Sequence, residues 1–262
     1  MKEIEVLKKN VEKYPNIKFL INRKDIALWG KKLSQFANPF TDYIQKTIFN
    51  LLTTLILEEQ SDNCQRLLKL LENSLTVFTN LRYSATFKRN IKSLEDFAFF
   101  SFLSELSLAN YLYGEGFTIN FNTKYVRLKD SKTLPRDIDI EACSKDNKKI
   151  YFEVYTPNQQ SEINGFINLP FIGEKFEQKI KNKEYDKFNS IISGQLNGQI
   201  ILAINYAYDD SINIFLKTFK PTIFDKLEST THCEIDGILL FHHDLAKNSL
   251  LQFDRIILRS QE

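Results

Sequence analysis

The first ninety residues carry apolar side chains at three- and four-residue intervals. Over 41–59 and 63–79, Ile, Leu, Val and Phe recur at that spacing with Asn, Lys, Glu and Gln between them, which predicts amphipathic helices. Ser61 and Asp62 separate the two runs and suit an N-cap. The polar, basic stretch 80–90 (NLRYSATFKRN) marks a boundary, so a helical region over 1–90 is expected to precede a second domain over 91–262. A further helix is expected from Ser93 to about Tyr113. Ser93 and Asp96 have capping-box spacing, and Gly114 and Gly116 stop the run.

Beyond Gly116 the period changes from about four to two. Residues 117–122 fit a strand. In 137–143, Ile138, Ile140 and Ala142 alternate with Asp137, Asp139 and Glu141. In 150–155, Ile150, Phe152 and Val154 alternate with Tyr151, Glu153 and Tyr155. The polar stretch SKDNKK between these runs predicts a hairpin. A polar loop from Thr156 to about Pro170 leads to a Lys-rich helix over 173–193. A buried strand over 199–206, a helix over 211–229, a buried strand over 235–241 and an edge strand over 250–258 complete the reading. Strands alternating with helices after a hairpin indicate an α/β layer with a mixed sheet.

Composition narrows the functional classes. The chain has 262 residues, 43% hydrophobic and 26% charged, a globular balance far from that of disordered chains. Eight Gly and six Pro exclude collagen-like and low-complexity readings. No apolar run reaches the roughly 18–20 residues of a membrane span. The N-terminal MKEIEVLKKN has no apolar signal region, so a soluble cytoplasmic protein is expected. Three cysteines, Cys64, Cys143 and Cys233, are odd in number and lack CxxC spacing, which argues against a disulfide framework and a structural zinc site. The net charge of +2 conceals an asymmetry: residues 1–90 hold 15 Lys+Arg against 9 Asp+Glu, and the remainder is acidic. A basic first third suits a polyanionic partner, although plain surface variation gives the same count.

The hairpin carries the chemistry. Asp139 and Glu153 have the parity to share one face of a sheet. A turn centred near Asp146 makes them direct cross-strand partners, with Cβ atoms about 5 Å apart. Two carboxylates so placed either face solvent or hold a hard divalent cation, Mg²⁺ or Mn²⁺. Other signals are weak. His242 and His243 are adjacent on a strand and point to opposite faces, and His232–Cys233 lacks a partner. No GxSxG, GxxxxGK or GxGxxG motif is present. Tyr83, Phe87, Tyr125 and Phe166 stand among polar or basic neighbours, where stacking on bases competes with a core role.

Three pieces in order, SELSLANYLYGEGF with Glu105, RDIDIEA with Asp139 and IYFEVY with Glu153, resemble the PD-(D/E)XK nuclease superfamily in its restriction-endonuclease-like and Holliday-junction-resolvase-like form. The resemblance covers roughly Ser93 to Tyr206. It implies a restriction-endonuclease-like mixed sheet flanked by helices, with the all-helical region in front. It also implies a Mg²⁺- or Mn²⁺-dependent nuclease, acting on DNA in preference to RNA. Asp139, Glu153 and the Val154 carbonyl would hold the metal, with Glu105 contributing directly or through water. The family's lysine, two residues after the third acid, is Tyr155 here. Some members carry that lysine on a neighbouring helix, and Lys175, Lys179, Lys183 and Lys187 recur every four residues on the predicted one. Helical-wheel arithmetic against Phe176, Ile180, Phe188, Ile191 and Ile192 favours Lys183 as the replacement, then Lys187. Lys175 and Lys179, with Arg82, Lys88 and Arg89, are candidates for phosphate contacts, and each also reads as a solvated cation. A homodimer would suit two-strand cleavage by symmetry. The competing expectation is a catalytically inactive nuclease-fold module that binds nucleic acid or protein.

Overall fold

The structure is a computed structural model. It describes residues 2–33, 50–94, 96–157, 162–163, 166–167, 178, 181–182, 187–188, 191, 195–207, 235–244 and 251–258. The chain packs as two compact units, one through Leu106 and the other from Ser107. Their division falls inside one helix rather than in the polar stretch 80–90.

The first unit is helical: α1 (Lys2–Glu12), α2 (Pro15–Leu20), α3 (Arg23–Leu33), α4 (Leu51–Ile56), α5 (Asp62–Val77), a 3₁₀ turn (Thr79–Tyr83), α6 (Ala85–Ile91) and the start of α7 (Asp96–Gly114). Local chemistry sets the ends. Ser61 caps α5 through the Cys64 amide, as its position predicts. Asn22 caps α3, its Oδ1 accepting from Lys24 and Asp25 amides while Asp25 accepts from the Asn22 amide. Asn50 and Thr53 form a second reciprocal box that starts α4 at Leu51; residues 41–49 of the predicted helix lie outside the described residues. Both carboxylate oxygens of Glu72 accept from the Asn16 and Ile17 amides, placing negative charge at the start of α2.

In the second unit, α7 ends in a Schellman motif. The Phe117 amide bonds to the Leu112 carbonyl and the Gly116 amide to that of Tyr113, with Gly116 at φ 90°. The sheet follows, with strands in the order β1 (Thr118–Lys129), β2 (Lys132–Cys143), β3 (Lys149–Tyr155), β6 (Gln199–Asn205), β7 (Gly237–His242) and β8 (Gln252–Leu258). A separate two-stranded piece pairs β4 (Glu162–Ile163) with β5 (Phe166–Ile167). The meander β1–β2–β3 is antiparallel, β3, β6 and β7 run parallel, and β8 returns antiparallel. This is the mixed α/β sheet expected from the strand pattern.

The first hairpin is longer than its pattern suggested. Strand β1 runs through to Lys129 and turns at Asp130 and Ser131, both at positive φ as a type I′ turn requires. In the second hairpin the Asn147 amide bonds to the Ser144 carbonyl and Asn147 sits at φ 60°, which fixes a turn around Asp146. One face of the sheet buries Tyr125, Ile138, Tyr151, Ile200, Leu202, Ile204, Ile238 and Leu240, with Phe188 packed among them. Residues 178, 181–182 and 187–188 are helical, while Ile191 forms a bridge with Arg127 of β1, so helical geometry does not extend to 191. The predicted helix over 211–229 lies outside the described residues.

Candidate functional site: the acid–lysine pair on the central strands

The β2–β3 ladder runs from Cys143↔Lys149 to Ile140↔Phe152. Those last partners stand one residue short of Asp139 and Glu153, the pair that a turn near Asp146 predicts. The two acids are held differently. Glu153 is fully buried, because it shares a face with Tyr151 and lies beside Leu202 of β6 in the apolar layer. The solvent-facing alternative therefore does not hold for Glu153. Asp139 is half-buried, at an irregularity. The β1–β2 partners pass from Phe121↔Ile140 to Thr123↔Ile138, and the omitted Asn122 adopts φ 55°. Such left-handed residues and local ladder breaks re-aim side chains next to functional sites. Here the Asp139 Oδ2 accepts the Val154 N–H at 2.8 Å, which brings its carboxylate to the β3 backbone beside Glu153.

Among the described residues, Lys187 presents a cation to Glu153. Its Nζ lies 3.3 Å from Glu153 Oε1 and donates to the Asp137 carbonyl at 3.2 Å, with the side chain 23% exposed. Two aromatic residues fix the segment that carries it. The Tyr125 hydroxyl donates to the Lys187 carbonyl at 2.7 Å, and the Tyr125 ring stacks on Phe188. Burial, then the nearby Glu153 charge, pushes the Tyr125 phenol far above its ordinary value, so it stays a neutral donor. Around this centre other acids are paired. Asp137 pairs with Lys124 at 3.1 Å, and Glu141 with Lys149 at 3.3 Å and with the Asn120 amide group at 3.2 Å.

Comparison with protein-family models, with curated proteins and with solved structures finds no match. The site therefore rests on its own geometry.

The structure brings Asp139, Glu153, Val154 and Lys187 together. Glu105 stands half-buried on α7 in the first unit, whereas the other two acids stand in the second. Lys175, Lys179 and Lys183 lie outside the described residues. In the first unit, Arg82 donates to Asn16 Oδ1 at 2.6 Å, Lys88 stands over the Phe19 ring and Arg89 is exposed. Phe87 and Tyr125 are core residues, Tyr83 is exposed, and the Phe166 side chain is outside the description. Sequence reasoning missed Tyr125 as the residue that positions Lys187, because it lies past the predicted end of its strand. Among the described residues, no three His, Cys, Asp or Glu side chains converge, and no helix is long and apolar enough to cross a membrane.

Proposed function

We propose that this chain is a metal-dependent nuclease with a restriction-endonuclease-like core, hydrolysing phosphodiester bonds with DNA as the favoured substrate. The observation that carries the reading is the Lys187 ammonium at Glu153, which supplies from a neighbouring segment the cation that Tyr155 lacks. The donor set suits Mg²⁺ or Mn²⁺, since Mg²⁺ is commonly held by one or two carboxylates together with several waters. Asp139, Glu153 and the Val154 carbonyl would hold it. When bound, such an ion lowers the pKa of a water and offsets charge building on the phosphate. The residues themselves set the orientation. Val154 N–H fixes the Asp139 carboxylate, the Asp137 carbonyl and Glu153 aim Lys187, and Lys187 presents an N–H donor and a positive charge to a water or phosphate oxygen. Tyr155 can donate a hydrogen bond but supplies no charge.

The test pairs binding with cleavage. Calorimetry with Mn²⁺ is expected to give about one equivalent on the wild type, lost in Asp139→Ala and Glu153→Ala. Cleavage of plasmid and single-stranded DNA in Mg²⁺ is expected to fall at least 100-fold in Asp139→Ala and in Lys187→Ala. Cleavage unaffected by Asp139→Ala would overturn the assignment.

Tyr155 supports a second reading, a nuclease-fold module without chemistry that binds nucleic acid or protein. On that reading Mn²⁺ fails to bind, and Asp139→Ala leaves oligonucleotide affinity unchanged.

A further inference from the structure

The first unit exposes two aromatic rings that touch each other. Phe19, at the end of α2, is 55% exposed, and Tyr83, at the end of the 3₁₀ turn, is 70% exposed. Their centroids lie 5.7 Å apart, edge to face, and the Lys88 ammonium stands 5.6 Å over the Phe19 ring. Isolated exposed apolar residues are ordinary on a protein surface, but a contacting aromatic pair with a cation over it is a built arrangement.

On the Tyr83 side the local sequence carries one sign of charge, while Lys18, next to Phe19, is paired with Glu12. Residues 73–94 contain Arg82, Lys88, Arg89 and Lys92 and no Asp or Glu. Lys92 is taken by Asp25, at 2.9 Å. Arg82 is steadied by Asn16, whose own amide is bound to Glu72, so that acid is engaged at the start of α2. Arg89 is exposed one residue after Lys88. Aromatic faces beside a cationic rim are what an unpaired base and its phosphate require: stacking serves any base, and the cations follow the backbone.

We infer that Phe19 and Tyr83, with Lys88 over Phe19 and Arg82 and Arg89 close by in the chain, form a base-stacking platform for single-stranded nucleic acid. A duplex keeps its bases stacked on each other and offers no such face. The inference concerns binding alone and stands whether or not the acid site cleaves.

The experiment measures fluorescence anisotropy of a labelled oligothymidylate of about 20 nucleotides with the full chain, in EDTA so that no cleavage intervenes. Tyr83→Ala and Phe19→Ala are each expected to weaken binding about tenfold, and Tyr83→Phe to retain the wild-type affinity. Lys88→Gln with Arg89→Gln is expected to lower the salt slope by about 1.4, two single-strand phosphate contacts. Unchanged melting temperatures would confirm that the variants fold. Wild-type protein that fails to bind the oligonucleotide at low salt, or Tyr83→Ala binding as tightly as wild type, would overturn the platform and leave the surface to a protein partner. Because the assay contains no divalent metal, its failure is distinct from failure of Asp139→Ala to abolish cleavage.

Discussion

At the scale of single residues, the buried pair of Glu153 and Lys187 sets the energetics of the second unit. Removing one partner of such a pair leaves the other charge in a low-dielectric layer, whereas replacing both can be close to neutral. Lys187→Met is therefore expected to cost about 3–5 kcal/mol in urea denaturation, and adding Glu153→Gln to recover much of that loss. A purely solvent-screened pair would give almost no change in either variant. Titration separates two further groups. Burial pushes the Asp137 carboxyl up, but the hydrogen bond and charge of Lys124, with the charge of Lys187, outweigh it and hold the group below the usual carboxylate range. Its stabilising contribution is present above the ordinary carboxylate pKa and disappears as pH falls through the depressed value. Asp137→Asn should therefore lower the melting temperature at neutral pH, with the difference closing in acid. Lys149 is raised by its hydrogen bond to Glu141. That contribution is present below the ordinary lysine pKa and is lost as alkali carries the pH through the raised value.

Elements are fixed by a few backbone positions. A Cβ at Gly198, just before β6, would overlap the Lys149 carbonyl oxygen, so Gly198→Ala must push apart the start of the β3–β6 ladder. A destabilisation of about 1–3 kcal/mol is expected from thermal or chemical melts, and a value near zero would show that the strands yield. Asn50→Ala removes one side of a reciprocal cap and should cost about 1 kcal/mol. The strands were legible because alternation and buried runs speak directly of sheet faces: 137–143, 150–155, 199–206 and 235–241 all correspond to strands. The turn near Asp146 was legible for the same reason, and with it the β2–β3 register as far as Ile140↔Phe152, one residue short of Asp139 and Glu153. What escaped was chemistry without a common signature. Asp130–Ser131 adopts the left-handed pair usually supplied by Asn-Gly or Asp-Gly, so β1 was cut short and Tyr125 went unplaced. Asn50 with Thr53 caps a helix in the middle of an apolar run, where periodicity alone suggests continuation. On the helical wheel, Lys183 and Lys187 differ only by their angle to the apolar side; the contact of Lys187 with Glu153 is a tertiary fact that such arithmetic does not contain.

On the scale of the whole molecule, composition and packing divide the chain at different places. The basic stretch 80–90 precedes α7, yet Phe102 of α7 meets Phe87 edge to face at 4.7 Å within the first unit, and Phe99 and Leu103 are fully buried there. A fragment ending at residue 90 lacks those side chains. It is expected to melt without cooperativity, while a fragment ending at 106 gives a cooperative transition by circular dichroism. Equal melts for both would show that the start of α7 adds nothing to the first unit. The strand order has a temporal consequence. The meander β1–β2–β3 closes through short turns, so it assembles from contacts near in sequence and can form while the remainder of the chain is still being synthesised. The layer over Glu153 comes from residues far downstream: Leu202 beside it and Lys187 against its carboxylate. Until those arrive, the acid stays hydrated on an open ribbon. Its withdrawal from water thus coincides with the arrival of its counter-charge, and the chain never has to bury the carboxylate alone.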